Sequence, residues 1–137
     1  MACTETYATL RVFSTDVDPG TISEILGIEA TRAEPRDLNA KYKHRRENHF
    51  WSWATRHKVE STDNAEHVAE IIKQLDGCAS SLERLREMGC QTDITNYWVG
   101  NGQGGPSLSV EMLGALHRLG LSIWWDTYFD QEGDSEK

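Results

Sequence analysis

A glycine-rich segment of the chain has the spacing of a dinucleotide-binding loop. Residues 100–105 read G-x-G-x-x-G between a predicted strand and a predicted helix, and Asp126 follows about twenty residues later, where that motif has an acid for the ribose. In a working motif the helix N-terminus meets the pyrophosphate. Here Pro106 and the candidate caps Ser107 and Ser109 start the helix several residues too late. We therefore predict a flexible loop from Gly100 to Pro106 and no bound cofactor.

Nucleophiles and metal ligands form no recognisable set in the sequence. The five histidines include no convincing i, i+4 pair and no thiol joins them, so no zinc site is predicted. The three cysteines have neither a metal-like nor a paired spacing, which is typical of a reduced intracellular protein. Cys90 has no predicted base beside it and is expected to be a buried structural thiol. We predict no catalytic residues, no metal and no enzymatic activity.

Aromatic residues provide the remaining signal, because the chain carries five tryptophans. The two-residue period of the last predicted strand places Asp126 between Trp124 and Tyr128 on one face. The other face is expected to hold the sheet to its helices through Leu121, Ile123, Trp125 and Phe129. We predict a partner-binding or ligand-binding surface on the sheet face away from the helices, made of Trp51, Trp53, Trp124, Asp126, Tyr128 and Arg11.

Two simpler interpretations of these residues stay open. Some of the tryptophans would be buried in the core, which is their commoner location. Asp126 would only form an ion pair with Arg11 across the sheet.

A basic run, residues 41–46 (KYKHRR), lies in a segment from 29 to 49 that shows no clear pattern. A connection this long is uncommon in a compact domain, so the segment is either a functional loop or contains an undetected strand. The run could bind phosphate or an acidic surface, or it could pair with the protein's own acids.

Strands and helices alternate along the rest of the chain. Strands are predicted at residues 7–14, 50–55, 92–99 and 121–129. One helix begins at Asp18-Pro19 and ends at Gly27, and another ends at Gly120. A 3–4 apolar spacing from residue 68 to residue 88 predicts one long helix that bends at Gly77.

This pattern predicts an α+β fold, a two-layer sandwich with about four mainly antiparallel strands and the helices on one face. A parallel α/β sheet is the alternative. The length of 137 residues suits a single domain spanning residues 1–137, and we expect its acidic tail, residues 130–137, to be frayed.

The charge balance limits the partners that the protein can have. With 22 acids against 14 Lys and Arg, the net charge is −8, which argues against nucleic-acid binding and suits steering toward a basic partner. There is neither a signal-peptide pattern at the start nor an apolar run of membrane-spanning length, so we expect a cytoplasmic protein without membrane contact.

Three segments are similar to landmarks of a bacterial domain-of-unknown-function family, number 4279. They are residues 26–32 (LGIEATR), 51–53 (WSW) and 119–128 (LGLSIWWDTY), and the resemblance spans nearly the whole chain. It implies a bacterial, cytosolic α+β domain and supplies no established active site. In general character, such small acidic proteins resemble immunity proteins that neutralise a cognate toxin.

Two functional hypotheses follow from the sequence. The first is a non-enzymatic acidic binding protein of the immunity type, which neutralises one partner protein, a toxin, through acidic steering onto the aromatic surface. The alternative is a small-molecule or nucleotide-binding regulatory module that uses residues 100–106 or the tryptophan-rich sheet face. The sequence leaves the oligomeric state open.

Overall fold

The computed structural model describes residues 3–101 and 105–129, which build one five-stranded sheet and five helices. The strands are β1 (Cys3–Ser14), β2 (Arg32–Glu34), β3 (His49–Ala54), β4 (Gln91–Gly100) and β5 (Ser122–Phe129). The helices are α1 (Pro19–Leu26), α2 (Lys43–Glu47), α3 (Asn64–Gln74), α4 (Ala79–Glu87) and α5 (Val110–Leu119). The middle of the predicted glycine loop and the predicted frayed tail lie outside the described residues.

The fold is α+β, as predicted, and the sheet has the order β2-β3-β1-β4-β5. Every neighbouring pair is antiparallel except β4 and β5, which run parallel because α5 crosses between them. The fifth strand is β2. Its three residues lie in the segment without clear pattern, and a strand this short shows no alternation that a sequence could reveal.

The central strand β1 separates the two faces of the sheet. Ala8, Leu10 and Val12 are buried toward the helices, and we call that side the helix face. Tyr7 and Arg11 point to the opposite side, which we call the open face. The residue alternation of β1 was predicted correctly, because one side of a half-covered strand must be apolar and the other need not be.

One hydrophobic core lies between the helix face and helices α1, α3, α4 and α5. The helices contribute apolar side chains at three- and four-residue spacings, which places them on one stripe of each helix. The buried helical members are Ile22, Leu26, Val68, Ile71, Leu82, Leu85, Leu116 and Leu119.

Helix ends follow the local sequence where a cap is present. The Asp18 side chain accepts a hydrogen bond from the Thr21 N–H at 2.9 Å, Pro19 is the first residue of α1, and Gly27 ends the helix in the left-handed conformation. The Ser109 side chain caps α5. Both helices therefore begin and end as the capping rules predict.

The prediction of one long bent helix from residue 68 to residue 88 is wrong. Gly77 has a φ of 79°, in the left-handed region, and separates α3 from α4. The apolar spacing continues across the break because Leu75 and Leu82 enter the same core. Periodicity alone could not distinguish one helix from two that pack on a common core.

Candidate functional site

A row of three tyrosines crosses the open face and gives it its aromatic character. Tyr7, Tyr97 and Tyr128 come from β1, β4 and β5, and we call them the tyrosine row. The rings of Tyr7 and Tyr97 stack with centroids 5.0 Å apart, and those of Tyr97 and Tyr128 lie 5.6 Å apart. Such offset contacts between neighbouring strands stabilise ring positions. The row therefore presents an ordered aromatic surface.

Trp124 and Asp126 lie beside the end of this row, on the same face of β5. Trp124 is 61% exposed and Tyr128 is 49% exposed. The neighbouring Asp126 carboxylate raises the pKa of Tyr128, as a hydrogen-bond acceptor for the hydroxyl and through its negative charge. The predicted arrangement of an acid between two exposed aromatics is present.

Arg11 lies on the open face, as predicted, but its partner is Asp93 and not Asp126. Arg11 Nε and Nη2 each donate to an Asp93 carboxylate oxygen at 2.8 Å. The two residues are directly opposite in the β1–β4 pairing, whereas Asp126 is opposite Tyr97, farther along the sheet. The alternative of an Arg11–Asp126 bridge is therefore wrong, and Asp126 is left for other contacts.

Trp51 and Trp53 do not belong to this surface, and their predicted place on the open face is wrong. They are opposite Val12 and Leu10 of β1, so they point to the helix face, and both are buried. The Trp51 Nε1–H donates to Ser23 Oγ of α1 at 2.8 Å. Both are members of the hydrophobic core, and no other large apolar side chain of β3 faces the helices.

The helix-face side of β5 also differs from expectation. Leu121 is buried and Ile123 packs against the core, as predicted. Trp125 is 38% exposed and Phe129 is 64% exposed, because the helices do not extend over the outer part of this edge strand. β5 therefore exposes aromatic side chains on both of its faces.

A buried polar network on the helix face fixes the position of β5. Asn64, the first residue of α3, donates through Nδ2 to Asn96 Oδ1 at 3.0 Å and to Thr6 Oγ1 at 2.9 Å. Asn96 in turn donates through Nδ2 to the Trp124 carbonyl at 3.3 Å. Sequence reasoning missed this network. The sequence contains one indication of the network: Asn96 is a polar residue at an inward-facing position of the strand, between Ile94 and Trp98.

The turn before β5 is held by Arg86 of α4. Its Nη1 donates to the Leu119 carbonyl at 3.1 Å, and Gly120 ends α5 with a φ of 70°. This left-handed conformation favours glycine, and a Cβ on Gly120 would lie 2.7 Å from Arg86 Nη2, so the guanidinium would have to shift. The start of β5 is therefore set by a contact from another helix.

The basic run lies at the β2–β3 end of the open face, and its side chains contact residues of their own loop. Residues 43–47 form α2, and His44 packs edge-on against Phe13 with ring centroids 4.6 Å apart. Arg45 donates to the carbonyls of Asn48 and Pro35, and Arg46 donates to those of Ala40 and Lys41. Arg45 also forms an ion pair with Glu34, with Nη2 and Oε1 3.2 Å apart, so part of the run pairs with the protein's own acids, which was one of the two alternatives.

The other candidate residues do not form a reactive site among the described residues. Burial raises the pKa of Cys90 and of Cys78, which keeps both thiols protonated. His67 is buried, with Nδ1 2.6 Å from Thr55 Oγ1 and Nε2 2.9 Å from the Ser61 carbonyl. Within residues 3–101 and 105–129, no three His, Cys, Asp or Glu side chains are grouped to hold a metal.

Fold and site together define a small α+β domain whose sheet has one helix-covered face and one aromatic face. The chain belongs to the family described as Domain of unknown function (DUF4279), which it matches over residues 4–130. This match confirms the resemblance drawn from residues 26–32, 51–53 and 119–128. Comparison with curated proteins and with solved structures gave no match. No helix in the described part of the chain is long and apolar enough to cross a membrane.

Proposed function

We propose that this protein is a non-enzymatic binding protein that docks one partner protein on the β4–β5 end of its open face. The observation that carries the proposal is the pair of exposed aromatics, Trp124 and Tyr128, on either side of Asp126. Tryptophan, tyrosine and charged groups that can be desolvated together are the residues that dominate protein interfaces. Soluble proteins rarely leave such a patch uncovered without a binding role.

Part of the patch is held in place before any partner binds, which supports docking without a large rearrangement. The ring of Tyr128 packs against that of Tyr97, and Asn96 holds the backbone at Trp124 through a hydrogen bond to its carbonyl. A surface that is ordered before binding loses less conformational entropy when a partner arrives. The polar network on the helix face therefore supports affinity on the open face.

The charge of the chain favours a basic partner. The net charge is −8, and Asp126 is the one charged side chain within β5. Long-range attraction raises the association rate of an oppositely charged protein, and Asp126 supplies a local acceptor for its Lys or Arg. This is the character of an immunity-type protein, and we propose a basic toxin, neutralised by occlusion, as the partner.

The test is affinity capture from the native host with three versions of the protein. The wild type and Val110→Ala, a control at an exposed apolar residue of α5, should retain the same stoichiometric basic protein. Trp124→Ala should weaken its binding by about thirtyfold, the loss expected for a hot-spot residue. Binding should also weaken as salt rises.

Two results would contradict the proposal. One is equal capture by wild type and Trp124→Ala, which would place binding elsewhere. The other is a captured protein whose own activity is unchanged when bound, which would exclude neutralisation while leaving docking in place.

A cleft beside β1 supports small-molecule binding as a second candidate function. It has a volume of about 670 Å³ and lies between residues 4–7 and the loop at residues 56–62, with His67 in its wall. His57, which also lines it, has a φ of 67°, a conformation that costs a non-glycine residue about 1–3 kcal/mol and is enriched at ligand sites.

Thermal-shift screening tests this second candidate. A ligand at about a hundredfold its dissociation constant adds about 2.7 kcal/mol of stability, and His57→Ala should reduce that gain if the cleft is the site. The absence of any shift with a panel of nucleotides and metabolites would argue against it.

A further inference from the structure

A small pocket lies at the β2–β3 end of the open face, away from the docking surface at the β4–β5 end. Its volume is about 200 Å³, somewhat larger than a cavity of roughly 150 Å³ that holds a benzene molecule. Its lining includes two aromatic rings, three arginines and one acid: Phe13, Phe50, Arg11, Arg32, Arg45 and Glu34. We call it the arginine pocket. Guanidinium groups concentrated in one pocket, in a chain of net charge −8, are suited to binding an anion.

The sheet register places two of these arginines on either side of a small residue. Ser52 of β3 is opposite Arg11 of β1 and also opposite Arg32 of β2. The two arginine Cα atoms are therefore two strand spacings apart, about 10 Å, and their side chains share the open face. Because the Ser52 side chain is short, it leaves room between the two longer side chains.

Phenyl rings position these two guanidinium groups. Arg11 Cζ lies 5.0 Å from the centroid of the Phe13 ring, and Arg32 Cζ lies 5.5 Å from that of Phe50. The two ring centroids are 5.2 Å apart. The attraction of a cation to a ring face favours one side-chain position. Both rings are partly exposed, so they can also contact a flat apolar group in the pocket.

Both guanidinium groups keep N–H groups for a ligand. Arg11 uses Nε and Nη2 for Asp93, and Arg32 uses Nε for Glu34. Among the described residues, Arg11 Nη1 and the two Nη groups of Arg32 have no hydrogen-bond partner. A carboxylate matches such N–H groups in both geometry and charge.

Arg45 contributes charge and shape to the pocket, while its own N–H groups are used elsewhere. Its Nη1 donates to the Asn48 carbonyl, and its Nη2 pairs with the Glu34 carboxylate. His44 of the same helix packs edge-on against Phe13 at the pocket. Helix α2 therefore forms one wall, and the basic run of the sequence supplies two of the lining residues.

The charge of the pocket suits a ligand with one negative charge. The carboxylates of Glu34 and Asp93 balance two of the three guanidinium groups, so one net positive charge remains. A phosphate monoester carries about two negative charges at neutral pH and would meet both carboxylates. A carboxylate carries only one negative charge and is the better match.

We propose that the arginine pocket binds a small aromatic carboxylate. The carboxylate accepts hydrogen bonds from the remaining Nη groups of Arg11 and Arg32. The ring of the ligand lies against Phe13 and Phe50. The pocket shares no lining residue with the cleft beside β1 or with the docking surface, so this inference goes beyond partner docking and does not depend on it.

The experiment titrates the purified full chain with benzoate and follows binding by calorimetry and by two-dimensional NMR. Benzoate should bind with a dissociation constant of about 1 mM or lower, a value within the range for a ligand of this size. Signals of residues 11–13, 32–34 and 50–52 should shift, whereas those of residues 122–129 should not. Benzyl alcohol lacks the charge and acetate lacks the ring, so each should bind about tenfold more weakly than benzoate.

Two variants should change the affinity in opposite directions. Arg32→Gln removes free donors and a positive charge, so it should weaken benzoate binding by about tenfold. Glu34→Gln removes the acid that competes for Arg32 and should tighten binding by about threefold, a gain that misfolding could not produce. Arg36→Gln is the matched control, because it removes the same charge from the same segment outside the pocket. It should change the affinity by less than about twofold.

Specific outcomes would overturn the proposal. Absence of binding at about 20 mM benzoate would exclude an aromatic-carboxylate site. Equal binding of benzyl alcohol or of acetate would exclude joint recognition of ring and charge, and tighter binding of inorganic phosphate would exclude the carboxylate. Equal weakening by Arg32→Gln and Arg36→Gln, or weaker binding to Glu34→Gln, would exclude recognition by the arginines of the pocket.

Discussion

Strands β3 and β5 each carry a pair of tryptophans, and the molecule uses the two pairs in opposite ways. At the β2–β3 end, Trp51 and Trp53 are buried in the core, and Trp51 donates a hydrogen bond to Ser23 of α1. At the β4–β5 end, Trp124 and Trp125 are exposed on opposite faces of the last strand. The first pair stabilises the fold. The second pair contributes little to the core and is available for association.

The two edge strands of the sheet, β2 and β5, also differ in length and in charge. The β2 edge is short, its Glu34 pairs with Arg32 and Arg45, and the loop carrying α2 packs beside it. The β5 edge is long, aromatic and nearly uncharged. The chain thus covers one edge with its own residues, whereas no described strand pairs with the outer edge of β5.

The largest predicted effect compares a tryptophan from each end. Trp51→Ala removes a fully buried side chain and its bond to Ser23, so it should lower the free energy of unfolding by about 3–5 kcal/mol. Trp124→Ala should lower it by less than about 1 kcal/mol, because its ring is mostly in solvent. Urea denaturation of the two variants at low protein concentration measures the difference. Equal losses would show that the β5 end belongs to the folding core.

The second prediction concerns the attachment of β5. Asn96→Ala removes the donor to the Trp124 carbonyl and leaves the Asn64 amide without one acceptor, so it should cost about 1–3 kcal/mol. Hydrogen exchange should rise in residues 122–129 more than in β3.

The neighbouring Thr95 provides the control for this prediction. Its Oγ1 is buried and has no hydrogen-bond partner in the described structure. Thr95→Val keeps the shape and removes an unsatisfied group, so stability should be unchanged or slightly higher. A loss as large as that of Asn96→Ala would mean that packing at β4, and not the hydrogen bond, holds β5.

A smaller effect is expected at the β2 edge. The hydrogen bond and ion pair from Arg32, with a further contribution from Arg45, lower the pKa of Glu34 below its ordinary value of 4.5. A lowered folded-state pKa means that the stabilisation is complete above pH 4.5 and is lost as pH falls through the folded-state pKa. Glu34→Gln should therefore cost less than about 1 kcal/mol at neutral pH, since the pair is partly exposed, and nothing in strong acid.

Acid and urea titrations of wild type and Glu34→Gln measure that difference. Curves that remain separated in strong acid would show that Glu34 acts through packing. Added salt should reduce the difference at neutral pH.

The smallest effect on stability is predicted at Asp126. Asp126→Asn removes the negative charge beside the Tyr128 hydroxyl, so the pKa of Tyr128 should fall toward its ordinary value of 10. The free energy of unfolding should not change, because both side chains are exposed. Ultraviolet titration of tyrosine, with Tyr128→Phe to assign the signal, measures the shift. An unchanged titration would mean that the hydroxyl points away from Asp126.

Much of the fold could be predicted because its signals are local. The caps at Asp18, Gly27, Ser109 and Gly120 mark helix ends, and the alternation of β1 marks a half-covered strand. The break at Gly77 could not be predicted, because both helices point to the same core and keep one apolar period. The strand β2 could not be predicted either, since three residues carry too little pattern.

The candidate site was predicted where the strand period alone decides the face. Trp124, Asp126 and Tyr128 share a face of β5 for that reason, and Arg11 lies on the same side of β1. Trp51 and Trp53 were placed on the wrong face because alternation shows that two residues share a side and does not show which side. That choice depends on the register with β1, where Trp51 is opposite Val12.

The hydrogen bond from Asn96 to the Trp124 carbonyl also decides which aromatics β5 presents. Most strands resist a slip of one residue because it would turn their apolar side chains to solvent. In β5 Ile123 packs against the core, but exposed aromatics lie on both faces, so a slip would cost less than in a strand whose whole inner side is buried. The strand is therefore held in register by two contacts: the hydrogen bond from the Asn96 amide, and the bond from Arg86 to the turn that precedes the strand. A change at Asn96 should alter the displayed surface before it alters the fold.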